Sequence, residues 1–273
     1  MDQHAALVTL AHQHLPPAIA DQWLGLVLPA GRLEPIGDDA TTPVVGHLGG
    51  NPRLPDGVEW PHWPDHGPLT YIAGIDCAAL PATELGLPFP ADGTLLFFYF
   101  DGQLDDGDAL VLPSEPDSAA GARVLYVPAD VVTREHTTPD GIRPYPRVNL
   151  TVHLHATIGD TDHPRLVPAF DLAGRRDGHP LRGDDFTKAF YRWRDDSGQG
   201  HQIGGYPNAV QGPVEDEVAD DSDATQWLLL AQIESDNRAD MMWGDAGALY
   251  WLIRRDDLAA GRFDQARFTW QCC

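Results

Sequence analysis

One short pattern occurs twice in this chain and constrains its fold more than any other feature. Residues 47–52 read His-Leu-Gly-Gly-Asn-Pro, and residues 201–207 read His-Gln-Ile-Gly-Gly-Tyr-Pro. Each copy is followed by an apolar run that ends in Ile and an acid, at 71–76 and at 228–234. Each run then leads through a Gly-containing turn into an aromatic-rich segment. Self-similarity in the same order predicts two related half-units.

The half-units are predicted to consist of strands joined by turns. Residues 94–100 form a short aromatic run, and residues 147–158 alternate between apolar and polar side chains, as half-buried strands do. The first residues instead carry the one-sided apolar stripe of helices. We predict one compact body with an N-terminal helical segment at 1–28, a first β half at 31–158 and a second β half at 184–273.

The charge of the chain limits its partners. Eighteen Lys and Arg against 41 Asp and Glu give a net charge of −23. Such a field repels nucleic acids and anionic membranes, so we expect neither as a partner. It serves either solubility alone or the attraction of a basic protein. One acidic run is either a solvated segment or a docking loop for that protein; its carboxylates are Glu215, Asp216, Glu217, Asp220, Asp221 and Asp223.

The cysteines and the first residues indicate the compartment. Cys77, Cys272 and Cys273 contain no Cys-x-x-C pair, so they are interpreted as reduced thiols. The first residues lack the basic-then-apolar order of a signal peptide, and no apolar run is long enough to span a bilayer. We therefore predict a cytoplasmic protein.

The repeated Gly-Gly-x-Pro element has two interpretations. The glycines permit a tight turn that delivers a strand into the core, and the proline fixes an extended exit. Alternatively, the glycine amides form an anion cradle beside a histidine. The candidate residues are His47, Gly49 and Gly50 in the first copy, and His201, Gly204 and Gly205 in the second.

Two tryptophan-containing strings hold further candidates. The first, Trp-Pro-His-Trp-Pro from Trp60, is either a packed hydrophobic lid or a recognition surface. The second joins Trp243 to Asp245 just before a predicted strand. Asp245 either shapes that turn or pairs with His201 as a base and its orienting group at a cleft edge.

The sequence contains no metal or cofactor motif. His153 and His155 lie two residues apart on one strand face, which is the geometry of a metal pair, but no third ligand follows from spacing. A wetted strand face is the plainer account, because Thr151 and Thr157 share that face. Nucleophile elbows, zinc-protease motifs and dinucleotide glycine patterns are absent from the sequence, so we expect no cofactor and lean against an enzyme.

A family resemblance rests on several strings that occur in order. The chain resembles the YwqG-like family of bacterial proteins over residues 45–272. The resemblance implies a mainly-β, roll-like fold with internal duplication and helices at its edges, and it assigns no activity. The family has Gln before the Ile of the first apolar strand, where this chain has Gly74. The strings that carry the resemblance lie at 49–55, 60–61, 68–72, 93–98, 201–207, 228–233 and 243–247.

Two functional hypotheses follow. The first is a non-catalytic binding module for a protein partner, such as a basic protein, in the manner of an inhibitor or immunity protein. The second is an enzyme or small-ligand binder that uses a cleft between the half-units. In that case His47, His201 and Asp245 would meet near the shared axis.

Overall fold

The central element of the computed structural model is an antiparallel sheet of ten strands, nearly closed into a barrel. The structure describes residues 3–37, 41–174, 178–198, 200–219 and 223–272. The predicted mainly-β fold is confirmed. The strands are β1 (Leu28–Ile36), β2 (Gly46–Leu48), β3 (Arg53–Pro55), β4 (His62–Trp63), β5 (Gly67–Pro68), β6 (Thr70–Asp76), β7 (Thr94–Tyr99), β8 (Ala122–Val127), β9 (Thr133–Glu135), β10 (Val148–Thr157), β11 (His201–Ile203), β12 (Trp227–Glu234), β13 (Ala248–Arg254) and β14 (Arg267–Gln271).

The order of the strands displays the duplication. The large sheet runs β14-β13-β12-β11-β1-β10-β2-β6-β7-β8, while β3–β9 and β4–β5 form separate two-stranded ribbons. Four strands therefore flank the central β1–β10 pair on each side. The register also shifts at matching places, between Tyr71 and Ala73 of β6 and between Leu229 and Ala231 of β12. Matching bulges at the same step of each half are a signature of repeated units.

The opening strands of the two repeats are exchanged. β1 pairs with β11 of the second half, and β10 pairs with β2 of the first. Leu33 lies opposite His201 and Leu150 lies opposite Gly46, so β1 and β10 occupy equivalent positions. Residues 147–158 therefore open the second repeat, although the sequence placed them in the first half. Because each sheet half contains a strand of the other repeat, neither half has a complete sheet of its own.

Aromatic side chains from both halves meet inside the barrel. Phe97 of β7 and Trp251 of β13 lie edge-on with ring centroids 5.1 Å apart, and Trp251 contacts Phe268 at 5.2 Å. Tyr99 stacks on Phe268 at 4.7 Å. The interior is thus one shared hydrophobic core, which favours a single cooperative body.

The N-terminal helices and the helix at Asp184–Ser197 share a second hydrophobic cluster beside the sheet. Pro17 begins α2, as its fixed φ favours at a first helical turn, and Trp23 packs edge-on against Phe186 at 5.4 Å. None of the helices in the described ranges has both the length and the apolar composition needed to cross a membrane. The helices are α1 (Gln3–His14), α2 (Pro17–Leu24), α3 (Ala82–Leu85), α4 (Leu166–Ala169), α5 (Asp184–Ser197), α6 (Val214–Val218) and α7 (Arg255–Ala259).

Candidate functional site

The two Gly-Gly elements are tight turns. A Cβ atom on Gly49 would lie 2.4 Å from the carbonyl oxygen of Pro146, so a side chain has no space there. The amides of Gly49 and Gly50 donate to the carbonyls of Ile72 and Tyr145, each at 2.8 Å. They are therefore committed to the fold, and the anion-cradle interpretation is wrong for this copy. All four glycines have positive φ: 54° at Gly49, 74° at Gly50, 68° at Gly204 and 69° at Gly205.

His47 is a neutral, partly buried histidine on the outer face of β2. Its Nδ1 lies 2.9 Å from the carbonyl oxygen of Gly49, which makes Nδ1 the protonated nitrogen. Burial, reinforced by the charge of Arg147, lowers the pKa of His47 to about 4. In the sheet His47 lies opposite Gly74.

His201 is buried and has both ring nitrogens bonded. Its Nδ1 accepts the backbone N–H of Glu234 at 3.1 Å, so Nε2 carries the proton and faces the Asp236 carboxylate at 3.3 Å. That hydrogen bond is the main reason why the pKa of Asp236 falls to about 2. The predicted His201–Asp245 pair is wrong, because Asp236 is the partner and Asp245 is exposed.

Three buried glutamines pin the loop that follows β11. Gln202 donates to the carbonyls of Gly204 and Tyr206, at 2.8 and 2.9 Å. Gln232 and Gln271 accept loop backbone N–H groups. Gln202 lies opposite Gln232 in the sheet. In the first half, Gly74 occupies the position equivalent to Gln232. The second Gly-Gly element is therefore held by side-chain amides, and we assign these glutamines a structural role.

The acidic run begins in packed structure. Its first part is α6, which packs on β13 and β14. Glu215 is buried, with Oε1 3.0 Å from the His163 Nε2, and Glu217 accepts from Thr269. Both the solvated and the docking interpretations are wrong for Glu215. Asp216 is exposed, Asp223 caps the following turn through the Thr225 N–H, and Asp220 and Asp221 lie outside the described residues.

The two strand histidines have separate partners. His153 is exposed and lies 3.6 Å from a Glu34 carboxylate oxygen, whereas His155 bonds Gln202 at 3.1 Å. Burial, with the nearby charge of Arg32, lowers the pKa of His155 to about 4. Across the described ranges, no three His, Cys, Asp or Glu side chains are arranged to share a metal ion.

The aromatic–proline string is a packed lid on the first half. Trp60 donates from Nε1 to the carbonyl of Leu69 at 2.7 Å and lies edge-on to Phe98 at 5.6 Å. Trp63 is buried and stacks on His66 with ring centroids 3.9 Å apart. This indole–imidazole stack borders an open cleft.

That cleft is acidic and is formed by the lid, the loop after β7 and the segment before β8. Its volume is about 750 Å³, and its lining contains no Arg or Lys. Trp63, His66 and Leu110 supply its apolar wall. This site was not predicted from the sequence. The high density of acidic residues between 101 and 117 is the local pattern that indicates it. The lining carboxylates are Asp65, Asp105, Asp108, Glu115 and Asp117.

A second, smaller cavity lies between the two halves. Its volume is about 130 Å³, and Tyr99 and Asp101 line it from the first half while Trp243 and Trp270 line it from the second. The Nε1 atoms of both tryptophans are buried and donate to no protein atom in the described structure. Of the site residues proposed from the sequence, Trp243 lines this cavity, whereas His47, His201 and Asp245 are not among its lining residues.

Asp101 organises the wall of this small cavity. Its carboxylate accepts hydrogen bonds from the hydroxyls of Thr70 and Tyr145 and from Gln103 Nε2, each at 2.8 Å. The Tyr145 ring lies edge-on to Trp243 at 5.8 Å. With three side-chain donors bonded to it, this carboxylate holds the wall together.

Comparison with known proteins gives a family. A search among curated proteins finds no match to this chain. The family model described as a domain of unknown function, DUF1963, matches residues 46–272. The match runs from β2 to the end of β14 and includes both Gly-Gly turns, the acidic cleft and the inter-half cavity. The chain therefore belongs to the DUF1963 family of unknown function.

Proposed function

We propose that this protein is a non-catalytic binding module for a protein partner, which presents a basic segment to the acidic cleft. One observation carries this proposal. Five carboxylates surround a cleft of about 750 Å³ whose lining holds no compensating cation. An inhibitor or immunity-like protein that recognises a basic partner would use such a surface.

Elementary electrostatics supports a cationic occupant. Like charges around one cleft raise its free energy, and a Lys or Arg side chain entering it relieves that repulsion. The exposed His66 ring, which stacks on the buried Trp63, borders the same space and offers an apolar surface to the stem of such a side chain. The net charge of −23 would also steer a basic protein toward the molecule.

The first test measures binding of a fluorescent ten-residue peptide of alternating Lys and Gly by anisotropy, at roughly 0.05 and 0.5 M salt. We expect measurable binding at low salt and its loss at high salt, where the Debye length falls to a few Å. The triple variant D108N/E115Q/D117N should weaken binding about tenfold, because each exposed charge pair contributes roughly 0.2–1 kcal/mol.

A matched triple variant keeps this test specific. E84Q/D130N/D195N removes the same charge from exposed positions outside the cleft lining, and it should leave peptide binding within about twofold of wild type. Equal weakening by both triples would mean that only net charge matters, and the cleft proposal would fail. In a pull-down from source cells, a stoichiometric basic partner should be lost from the cleft variant alone.

The small cavity favours a second candidate, a small-ligand binder between the halves. Buried indole N–H groups of Trp243 and Trp270 could donate to a compact ligand that carries an acceptor. In a thermal-shift screen, a ligand of this site should stabilise wild type and W193F but not W243F. Trp193 is the matched control because its Nε1 is also buried without a partner, but in the helical cluster.

We further propose that the chain is a YwqG-like member of its family and works in the cytoplasm. The repeated strings quoted from both halves support the first statement. Free thiols at Cys77 and Cys272 support the second. Burial raises the pKa of the Cys77 thiol to about 12, so Cys77 has the character of a packing residue and not of a nucleophile.

A further inference from the structure

Cationic side chains, which acids outnumber in this chain, gather around one cavity next to the second half. The chain has 18 Lys and Arg against 41 Asp and Glu. A cavity of about 520 Å³ is nevertheless lined by four arginines and two acids, which leaves its lining at four minus two, or +2. These residues are Arg165, Arg254, Arg255, Arg262, Asp256 and Asp257.

Only one of the four guanidinium groups is neutralised by a carboxylate in the described structure. Arg262 pairs with Asp257 at 2.7 Å. Arg165 and Arg255 donate to backbone carbonyls instead, at 3.3 and 3.2 Å. In a chain with such an excess of acids, three arginines without a carboxylate around one cavity are a concentrated source of positive charge.

Arg254 shows that this charge is held in place. Its Cζ lies 5.0 Å from the centre of the Trp227 ring, which is a cation–π contact. Its Nε is buried and has no hydrogen-bond acceptor in the described structure. A buried donor on a charged group is costly unless an acceptor reaches it.

We propose that this cavity binds a small molecule that carries a diphosphate group, through Arg165, Arg254 and Arg255. Planar guanidinium forks match phosphate oxygens in a bidentate manner. Three guanidinium forks around one cavity suit the larger set of oxygens on two linked phosphates, and a volume of about 520 Å³ has room for them. The net charge of −23 opposes a long polyanion, so the ligand is compact.

This site is separate from the acidic cleft. β7 and β13 are linked by seven antiparallel pairings across the sheet, so they run in opposite directions. The cleft adjoins the segment after β7, and the arginine cavity adjoins the segment after β13. The two sites therefore lie toward opposite ends of the strands. Either binding proposal can be refuted while the other stands.

Calorimetric titration of the full chain with inorganic pyrophosphate at low ionic strength tests the proposal. We expect saturable one-to-one binding that R254Q/R255Q weakens by about a hundredfold, since each charge-assisted contact is worth roughly tenfold or more. A parallel titration with ADP distinguishes a free diphosphate from a diphosphate that is part of a larger molecule. Equal affinities mean that the diphosphate suffices, and tighter ADP binding means that the cavity also reads the attached group.

Two further variants test whether net charge or misfolding accounts for a loss of binding. R53Q/R134Q removes the same charge from exposed arginines of the β3–β9 ribbon and should bind pyrophosphate as wild type does. D257N frees Arg262 and should tighten binding several-fold, a gain that misfolding cannot produce. Absence of saturable binding at millimolar pyrophosphate, or equal losses in the two double variants, would overturn the proposal.

Discussion

Replacing Trp251 by alanine should lower the free energy of unfolding by about 4 kcal/mol, as expected for truncation of a fully packed aromatic side chain. Trp251 is 1% exposed and contacts Phe97 of the other half and Phe268 of β14. Its removal opens a cavity at the place where the two halves share their core. Urea denaturation followed by far-UV circular dichroism measures the change, because it does not depend on tryptophan fluorescence.

Trp251→Phe separates the loss of volume from the loss of polarity. The indole Nε1 of Trp251 is buried with no acceptor among the described residues, so phenylalanine removes an unsatisfied donor and keeps an aromatic ring. We expect a loss of about 1 kcal/mol. Met242→Ala, at a side chain that is 56% exposed, should change stability by less than about 0.5 kcal/mol. Equal effects of W251A and W251F would refute a packing role.

The second large effect is expected from Glu215→Ala, which should destabilise the protein by about 3 kcal/mol. The change leaves the His163 Nε2–H without its acceptor in a buried site, where His163 also contacts the Tyr206 ring at 4.6 Å. It also removes a tie between α6 and the segment that precedes α4. Chemical denaturation gives the stability, and hydrogen exchange should show the amides of α6 opening first.

Matched variants at neighbouring positions test this assignment. Glu215→Gln retains an oxygen that can accept from His163, so its loss should be markedly smaller than that of E215A. Asp216→Ala alters the next, exposed carboxylate and should stay within about 0.5 kcal/mol of wild type. If D216A were as damaging as E215A, the acidic run would act through its total charge and not through one buried contact.

The duplication could be predicted from the sequence, but its exact alignment could not. The paired histidines suggested that His47 and His201 are equivalent. The cross-strand register instead shows that His47 of the first repeat is equivalent to Gln202 of the second. His201 is therefore equivalent to Gly46. Side chains alternate between sheet faces, so a shift of one residue moves a histidine to the other face. The two histidines therefore occupy non-equivalent positions, and the register gives no reason for them to lie together near a shared axis.

The proposed binding surface was only partly predictable. Net charge was compatible with a basic partner or with solubility alone, and the run of acids at 215–223, where carboxylates are densest, was the candidate docking segment. The fold buries Glu215, while it brings Asp65 beside Glu115 and Asp117 in one cleft. A run of acids along the chain does not reveal which carboxylates face water, since that depends on the surface against which the segment packs.

The sequence by itself determined the local elements: the apolar strands, the Gly-Gly turns, the N-terminal helices and the excess of acids. Each is encoded by residues within one turn or strand of each other. Only the tertiary structure decided the exchange of β1 and β10 and the partners of buried polar groups. His163 and Glu215 are 52 residues apart, and His201 and Asp236 are 35 apart. Such pairs form because sheet packing excludes water from both members, and no local pattern carries that information.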